Sequence, residues 1–210
     1  MKKAIACFLV AITVLLLSTS LGLAVIHITD FPYRFDISYL KISEKSGFSR
    51  AVILQNYDAI IDYLSPFSEK EFSLPTMAYT ARASFHFTEV KAVFNYIYIL
   101  GAASALILAI MTAAKSVSKK TLRISGAVTL AFPVIIASAA LIDFERTFDI
   151  FHELFFNGAT WIFDPQTDEF ISILPSEFFL HCGLFITLFL LAAALFQLKI
   201  GYYKKKAGKS

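Results

Sequence analysis

The sequence predicts an all-α membrane protein: four transmembrane helices carrying two outward-facing, partly membrane-embedded helical elaborations, read as one integral membrane domain over residues 1–210. Two observations carry this. Four apolar runs, 4–26, 92–114, 124–142 and 178–198, hold no Asp, Glu, Lys or Arg, and a helix needs roughly 20 such residues to cross a hydrocarbon core of about 30 Å. The charges are also sorted. Residues 2–3, 115–123 and 199–210 contain 11 of the 19 basic residues, whereas all 16 acidic ones lie in 27–91 or 143–177. The positive-inside rule then places both termini and the short loop in the cytosol and the two long segments outside. A composition 57% hydrophobic with 22 Phe fits a membrane class. The net charge of +3 is a signal of topology and gives no ground for a nucleic-acid partner; the basic tail suits a membrane surface.

The first run follows Lys2 and Lys3 and ends near Gly22-Leu23-Ala24, a weak match to a signal-peptide cleavage site. Its uninterrupted apolar length favours an uncleaved anchor. In the first elaboration, 27–91, "SRAVILQNYDAIIDYL" predicts a helix over 49–64. Ser49 is its N-cap, and Ile53, Tyr57, Ile60, Ile61 and Leu64 share a face, with Asp58 and Asp62 on a solvated one. The stretch "SPFSEKEFSLP" is broken and turn-like. "TARASFHFTEVKAVFNY" runs helically into the second span and puts His86, Glu89 and Val93 on one face. Gly101 in the second run and Pro133 in the third are tolerable inside membrane helices.

The second elaboration, 143–177, contains "TFDIFHELFFNGATWIFDP". A helix is predicted over 148–156 with Phe148, His152, Phe155 and Phe156 on one side, stopped by "NGA". Asp164-Pro165 reads as an N-cap and first helical residue, opening a short helix to Leu174. Trp161 and the phenylalanines suit interface depth. Cys7 and Cys182 belong at opposite ends of the membrane, too far apart to bridge.

His86 and His152 are the candidate chemical residues. Both stand near the outer surface in apolar company, where desolvation favours a neutral ring able to accept a proton; a hydrogen-bonded interfacial histidine is the equally weighted alternative. His27 and His181 read as structural, though His181 is placed to line the same cavity. Asp164 and Asp168 read as a cap and a first-turn residue. Arg34, Lys91 and Arg146 suit either lipid phosphate or simple snorkelling. His86-x-x-Glu89 with His152-Glu153 or Asp149 offers a weak metal pattern lacking the HExxH spacing, so no metal is assigned. No nucleophile elbow or phosphate-binding glycine loop is present.

The stretches "FHELFFNGATWIFDPQTDEFISILPSEFF", "NYDAIIDYL" and "SFHFTEVKAVF" resemble the signature of the bacterial membrane family of lyso-form lipoprotein intramolecular transacylases, in order and spacing along nearly the whole chain. The resemblance implies a cofactor-free acyl transfer at the outer leaflet of the cytoplasmic membrane. Its substrate would be a diacylated lipoprotein whose N-terminal cysteine carries an S-diacylglyceryl group. The sn-2 chain would move to the α-amine of that cysteine, giving the lyso form. It also implies His86 and His152 as the catalytic pair. Glu89, Phe148, Phe155, Phe156 and Trp161 are then expected around the substrate and the surrounding membrane lipid, the aromatics holding acyl chains and excluding water. The expected division makes His86 the base and His152 the donor to the oxyanion, or the reverse. Two other classes compete: a non-enzymatic membrane chaperone or sensor, and a metal-dependent membrane lipid hydrolase.

Overall fold

The computed structural model describes residues 2–156 and 158–203. It places four long helices as a bundle: α1 (Lys2–Thr29), α5 (Ala81–Ala113), α6 (Lys119–Ile142) and α8 (Ser176–Tyr202), each long and apolar enough to cross a membrane. Between them lie α2 (Phe31–Tyr39), α3 (Ile42–Ser46), α4 (Arg50–Leu64), α7 (Phe144–Phe155) and a 3₁₀ turn, Glu169–Ile173. These shorter elements gather at one end of the bundle as a cap. Asn157 of the expected "NGA" stop and 204–210 of the basic tail lie outside the described residues.

Helix α1 is the centre, packing on α5, α6 and α8, while α6 and α8 pack on each other. Lipid tails supply no hydrophobic drive between helices, so close packing of small residues must hold them. Gly101 of α5 seats on Ser20 of α1 so closely that a Cβ there would collide with the serine side chain. A Cβ at Gly201 of α8 would come within 2.7 Å of Arg123 of α6. Gln197 donates to Ser125 across α6 and α8 at 3.2 Å, a buried polar tie. At the far end from the cap, Lys119 Nζ donates to the Tyr203 carbonyl at 2.7 Å, so the start of α6 meets the end of α8.

Helix α5 runs unbroken for 33 residues, roughly 50 Å at 1.5 Å per residue, against a hydrocarbon core of about 30 Å. Its apolar run fills the bundle, and its first turns, with His86, rise into the cap.

The cap has its own core. Tyr33, Ile53, Tyr57, Ile60, Phe87, Phe170 and Ile173 pack together, with Tyr33 stacked on Tyr57 at 3.7 Å between ring centroids. Helix α4 follows the expected pattern: the Ser49 side chain accepts from the Val52 amide, and Asp58 and Asp62 stay exposed. Asp62 pairs with Lys70 at 2.7 Å.

Two expectations change. Helix α7 begins four residues earlier than expected, because Asp143 ends α6 in an extended conformation and caps α7 by accepting from the Arg146 amide at 3.0 Å. The helix expected from Asp164 to Leu174 does not form. The Asp164 side chain accepts from the Gln166 amide at 2.9 Å, and its carbonyl accepts from the Thr167 and Asp168 amides at 3.0 and 2.8 Å, closing a turn. Only the 3₁₀ turn follows.

Candidate active site

His86 sits in the second turn of α5. The Thr80 side chain caps that helix by accepting from the Ala83 amide, and the Thr80 amide in turn donates to Asp168 Oδ1 at 2.7 Å. Asp168 is fully buried. Rather than the first-turn helical residue its position suggests, it anchors the start of the helix that carries His86. Glu169 reinforces this tie, accepting from the Ala78 amide at 2.9 Å and donating its own amide to the Ala78 carbonyl at 3.1 Å.

His152 lies in the last turn of α7, which is held to α8 by the Ser176 hydroxyl donating to Glu145 at 2.9 Å and by Phe148 meeting Phe179. The two anchored elements bring the imidazoles of His86 and His152 together, 5.9 Å apart between centroids with their planes inclined by 30°. Both rings are buried, at 6% and 7% exposure. Phe148, Phe156 and Trp161 surround His152 at 4.1, 5.3 and 4.6 Å, and Phe156 and Phe163 flank His86 at 4.7 and 5.6 Å. A cleft of about 320 Å³ lined by Phe156, Trp161 and Ile162 opens beside them.

The two rings differ in their ties. His152 Nδ1 is 2.8 Å from the Phe148 carbonyl. A carbonyl only accepts, so Nδ1 carries the proton and, in the neutral ring, Nε2 keeps its lone pair. Burial pushes His152 below its ordinary value, against the weaker opposing pulls of that carbonyl and of Asp149. The ring is therefore neutral near pH 7 with a basic nitrogen available. His86 Nδ1 is buried with no hydrogen-bond partner; Glu89 Oε2 is 3.9 Å away, beyond hydrogen-bond reach.

Glu89 is engaged elsewhere. Its Oε2 accepts from the Thr160 hydroxyl at 2.8 Å, pulling the segment that carries Trp161 and Phe163 over His86. Sequence reasoning placed Glu89 near the substrate and missed Thr160, whose distance along the chain hides the contact. Phe155 is not drawn in. The helix stops at Phe155, Phe156 turns extended, and the expected shared face is split: Phe156 is buried at 7%, whereas Phe155 is 51% exposed and packs on Phe151. Ile150, Phe151 and Leu154 are exposed with it, giving α7 an apolar outer face. Among the described residues no three His, Cys, Asp or Glu side chains converge as a metal site.

His181 does not line this cavity. Phe179 faces Phe148, and His181, two residues on and thus about 200° around α8, faces α2 instead, its Nδ1 2.8 Å from Asp36 Oδ1. Sequence reasoning did not single out Asp36. An aspartate among the four aromatics of FPYRFDISY was the available signal.

The fold is shared with proteins of known structure. The family model for the lipoprotein intramolecular transacylase Lit matches residues 6–179. The structure superposes on the in meso structure of the membrane integral transacylase Lit from Bacillus cereus with a TM-score of 0.85 and 29% identity, covering 93% of this chain and 92% of that one. Two further structures of the Bacillus cereus protein, with one histidine replaced by arginine or by alanine, match with TM-scores of 0.80 at 28% identity. Each covers 95% of this chain, and 90% and 92% of the respective relative. No curated protein matched. Matched over most of its length, the chain belongs to the lipoprotein intramolecular transacylase family Lit, and is a membrane-integral acyltransferase.

Proposed function

We propose that the protein moves the sn-2 acyl chain of an S-diacylglyceryl-cysteine lipoprotein to the α-amino group of the same cysteine, leaving a lyso-form lipoprotein. The reaction takes place at the outer leaflet of a bacterial cytoplasmic membrane, with both termini cytosolic. One observation carries the reading: two buried imidazoles 5.9 Å apart between aromatic walls, one with its tautomer fixed.

The fixed tautomer supports His152 as base and His86 as donor. An α-ammonium has a pKa of about 8, so about a tenth is neutral amine at pH 7. That amine attacks the sn-2 ester carbonyl, and its nitrogen becomes strongly acidic as the new bond forms. His152 Nε2 takes the released proton. His86 donates to the oxygen of the tetrahedral intermediate, whose charge develops where water is excluded. The C–O bond to the glycerol carbon then breaks, and the proton on His152 passes to the departing sn-2 oxygen. The amide and the free hydroxyl are the only products, and no cofactor enters the balance. Amine and ester share one cysteine, so their proximity supplies a large part of the rate.

Phe148, Phe156, Trp161 and the exposed Phe155 suit acyl chains entering from lipid. Glu89 acts through the Thr160 latch, closing the aromatic segment over the substrate. Family membership in an acyltransferase sets the chaperone reading aside. A metal-dependent hydrolase would lose its activity to chelators, whereas the dyad chemistry would not.

The test is mass spectrometry of a reporter lipoprotein isolated from cells making the protein. Wild type should yield N-acyl, S-monoacylglyceryl cysteine, and His152→Ala should yield the unchanged diacylglyceryl form. A lyso product from His152→Ala at the wild-type level would remove this histidine from the chemistry.

A further inference from the structure

Across α8 from the dyad, Asp36 and His181 line a second cleft of about 350 Å³, with Phe31, Pro32, Phe35, Tyr39 and Phe185 as its other walls. Asp36 is fully buried. Its Oδ1 is satisfied by His181, but Oδ2 is buried without any partner. Phe31, Phe35 and Tyr39 are each more than half exposed and recur every fourth residue, stacked at 6.3 and 5.2 Å between centroids. They form an aromatic strip beside the carboxylate. On α8, Phe185 and the exposed Leu188 follow His181 by four and seven residues, so an apolar track leads away from the pair along one helix face.

A buried carboxylate oxygen left unpaired is costly, and a hydrogen-bond donor reaching it from the cleft relieves that cost. Burial pushes Asp36 above the usual carboxylate range, only partly offset by His181, as expected of an anion short of partners. The chemistry of the walls narrows the donor. His181 Nδ1 is turned to Asp36 and away from the cleft's other walls, and the aromatic faces of the strip attract cations. Phosphate would meet a carboxylate. A hydroxyl would satisfy Oδ2 but gain nothing from the strip.

We propose that this cleft binds the ammonium headgroup of an acyl lipid from the bilayer. Asp36 Oδ2 accepts from the ammonium, the α2 strip flanks it, and an acyl chain lies along Phe185 and Leu188. Two lipids carry that group: an aminophospholipid and, on the proposed function above, the lipoprotein's own diacylglyceryl cysteine.

Native mass spectrometry of the full-length protein in detergent separates these. The probes are phosphatidylethanolamine, its N-acetylated form with the same chains, and an S-diacylglyceryl-cysteine peptide presented to a His152→Ala background. Wild type should retain one phosphatidylethanolamine and bind the N-acetyl form about tenfold or more weakly, the scale of one charge-assisted hydrogen bond. Asp36→Asn should erase that preference. Phe35→Ala, at an exposed position that should not disturb folding, should weaken ammonium lipids alone. Stronger retention of the peptide than of phosphatidylethanolamine, lost in Asp36→Asn, would name the lipoprotein as occupant. Equal binding of the free and acetylated headgroups, or an Asp36→Asn or Phe35→Ala protein that discriminates as wild type does, would overturn the proposal. The readout is lipid retention, so failure here leaves the dyad untouched, and failure of the dyad leaves this site standing.

Discussion

His152 and His181 each have Nδ1 tied by a 2.8 Å hydrogen bond, on opposite sides of α8, yet the ties differ in kind. The partner of His152 is a carbonyl of its own helix. It fixes the tautomer while adding little negative charge, and the aromatic wall keeps the ring neutral. The partner of His181 is a fully buried carboxylate from a helix far away in sequence. A carboxylate adds a full negative charge to the tie as well as orienting the ring. The lesson is that orientation and basicity are separable: a backbone acceptor aims a histidine and leaves it a mild, neutral base, whereas a carboxylate makes a polar anchor. Acyl transfer to an amine requires the first, and recognition of a cation suits the second.

Removing each ring is the strongest way to break this comparison. His152→Ala should lower lyso-lipoprotein formation by about 10²- to 10⁴-fold, the usual worth of a positioned base. His86→Ala should cost about 10²- to 10³-fold, as for one oxyanion donor. Single-turnover assays on a diacylglyceryl peptide would measure both. His181→Gln should stay within a few-fold of wild type in the same assay; a loss as large as that of His152→Ala would merge the two sites into one machine.

Topology sharpens it next. Cysteine placed at Ser68, in the cap, should react with an impermeant reagent added outside cells, and cysteine at Ser118 should not. The reverse pattern would put both sites on the cytosolic face.

The pH profile separates the ties further. The His152 value is lowered by burial, so its base form is complete at neutral pH and is lost only as pH falls through that lowered value. The acid side of the kcat profile should therefore carry two ionisations, the substrate α-amine near its ordinary value of about 8 and His152 below the ordinary histidine value of about 6.5. A second ionisation above about 6.5 that His152→Ala removes would mean that a carboxylate, rather than a carbonyl, governs the base.

The smallest effect expected is that of Thr160→Val. It deletes the hydroxyl held by Glu89 and frees the segment bearing Trp161, which should reduce kcat/KM by about three- to tenfold, the scale of one hydrogen bond. Thr160→Ser, which restores the hydroxyl, should recover most of the loss. Equal rates for Val and Ser would show that the latch is idle.

What was legible in the sequence follows what is local in it. The four long helices showed because a charge-free run of about 20 residues is a property of the chain alone. Helix α4 showed because Ser49 and a repeating apolar face sit within one segment. His86 and His152 stand out by their aromatic company, and pairing them rests on their matching depth at the outer surface together with the family resemblance. The ties that build the cap join residues far apart. Asp168 reaches Thr80 across 88 positions, and Asp36 meets His181 across 145. No periodicity encodes such contacts, so Asp168 looked like a helical residue and Asp36 passed unnoticed. Asp164-Pro165 misled for a related reason: its local turn bonds outcompete the helix its composition suggests.

The central claim is that the α-amine is the nucleophile, so the most direct measurement follows the sn-2 chain itself. A diacylglyceryl-cysteine peptide carrying an isotopically labelled sn-2 acyl group would be given to the purified protein in lipid, once with a free amine and once N-acetylated. The label should appear as an amide on the free amine of the same peptide, and the N-acetylated peptide should keep both chains. Labelled free fatty acid released from the N-acetylated peptide at the full rate would contradict the account and make the dyad a lipase.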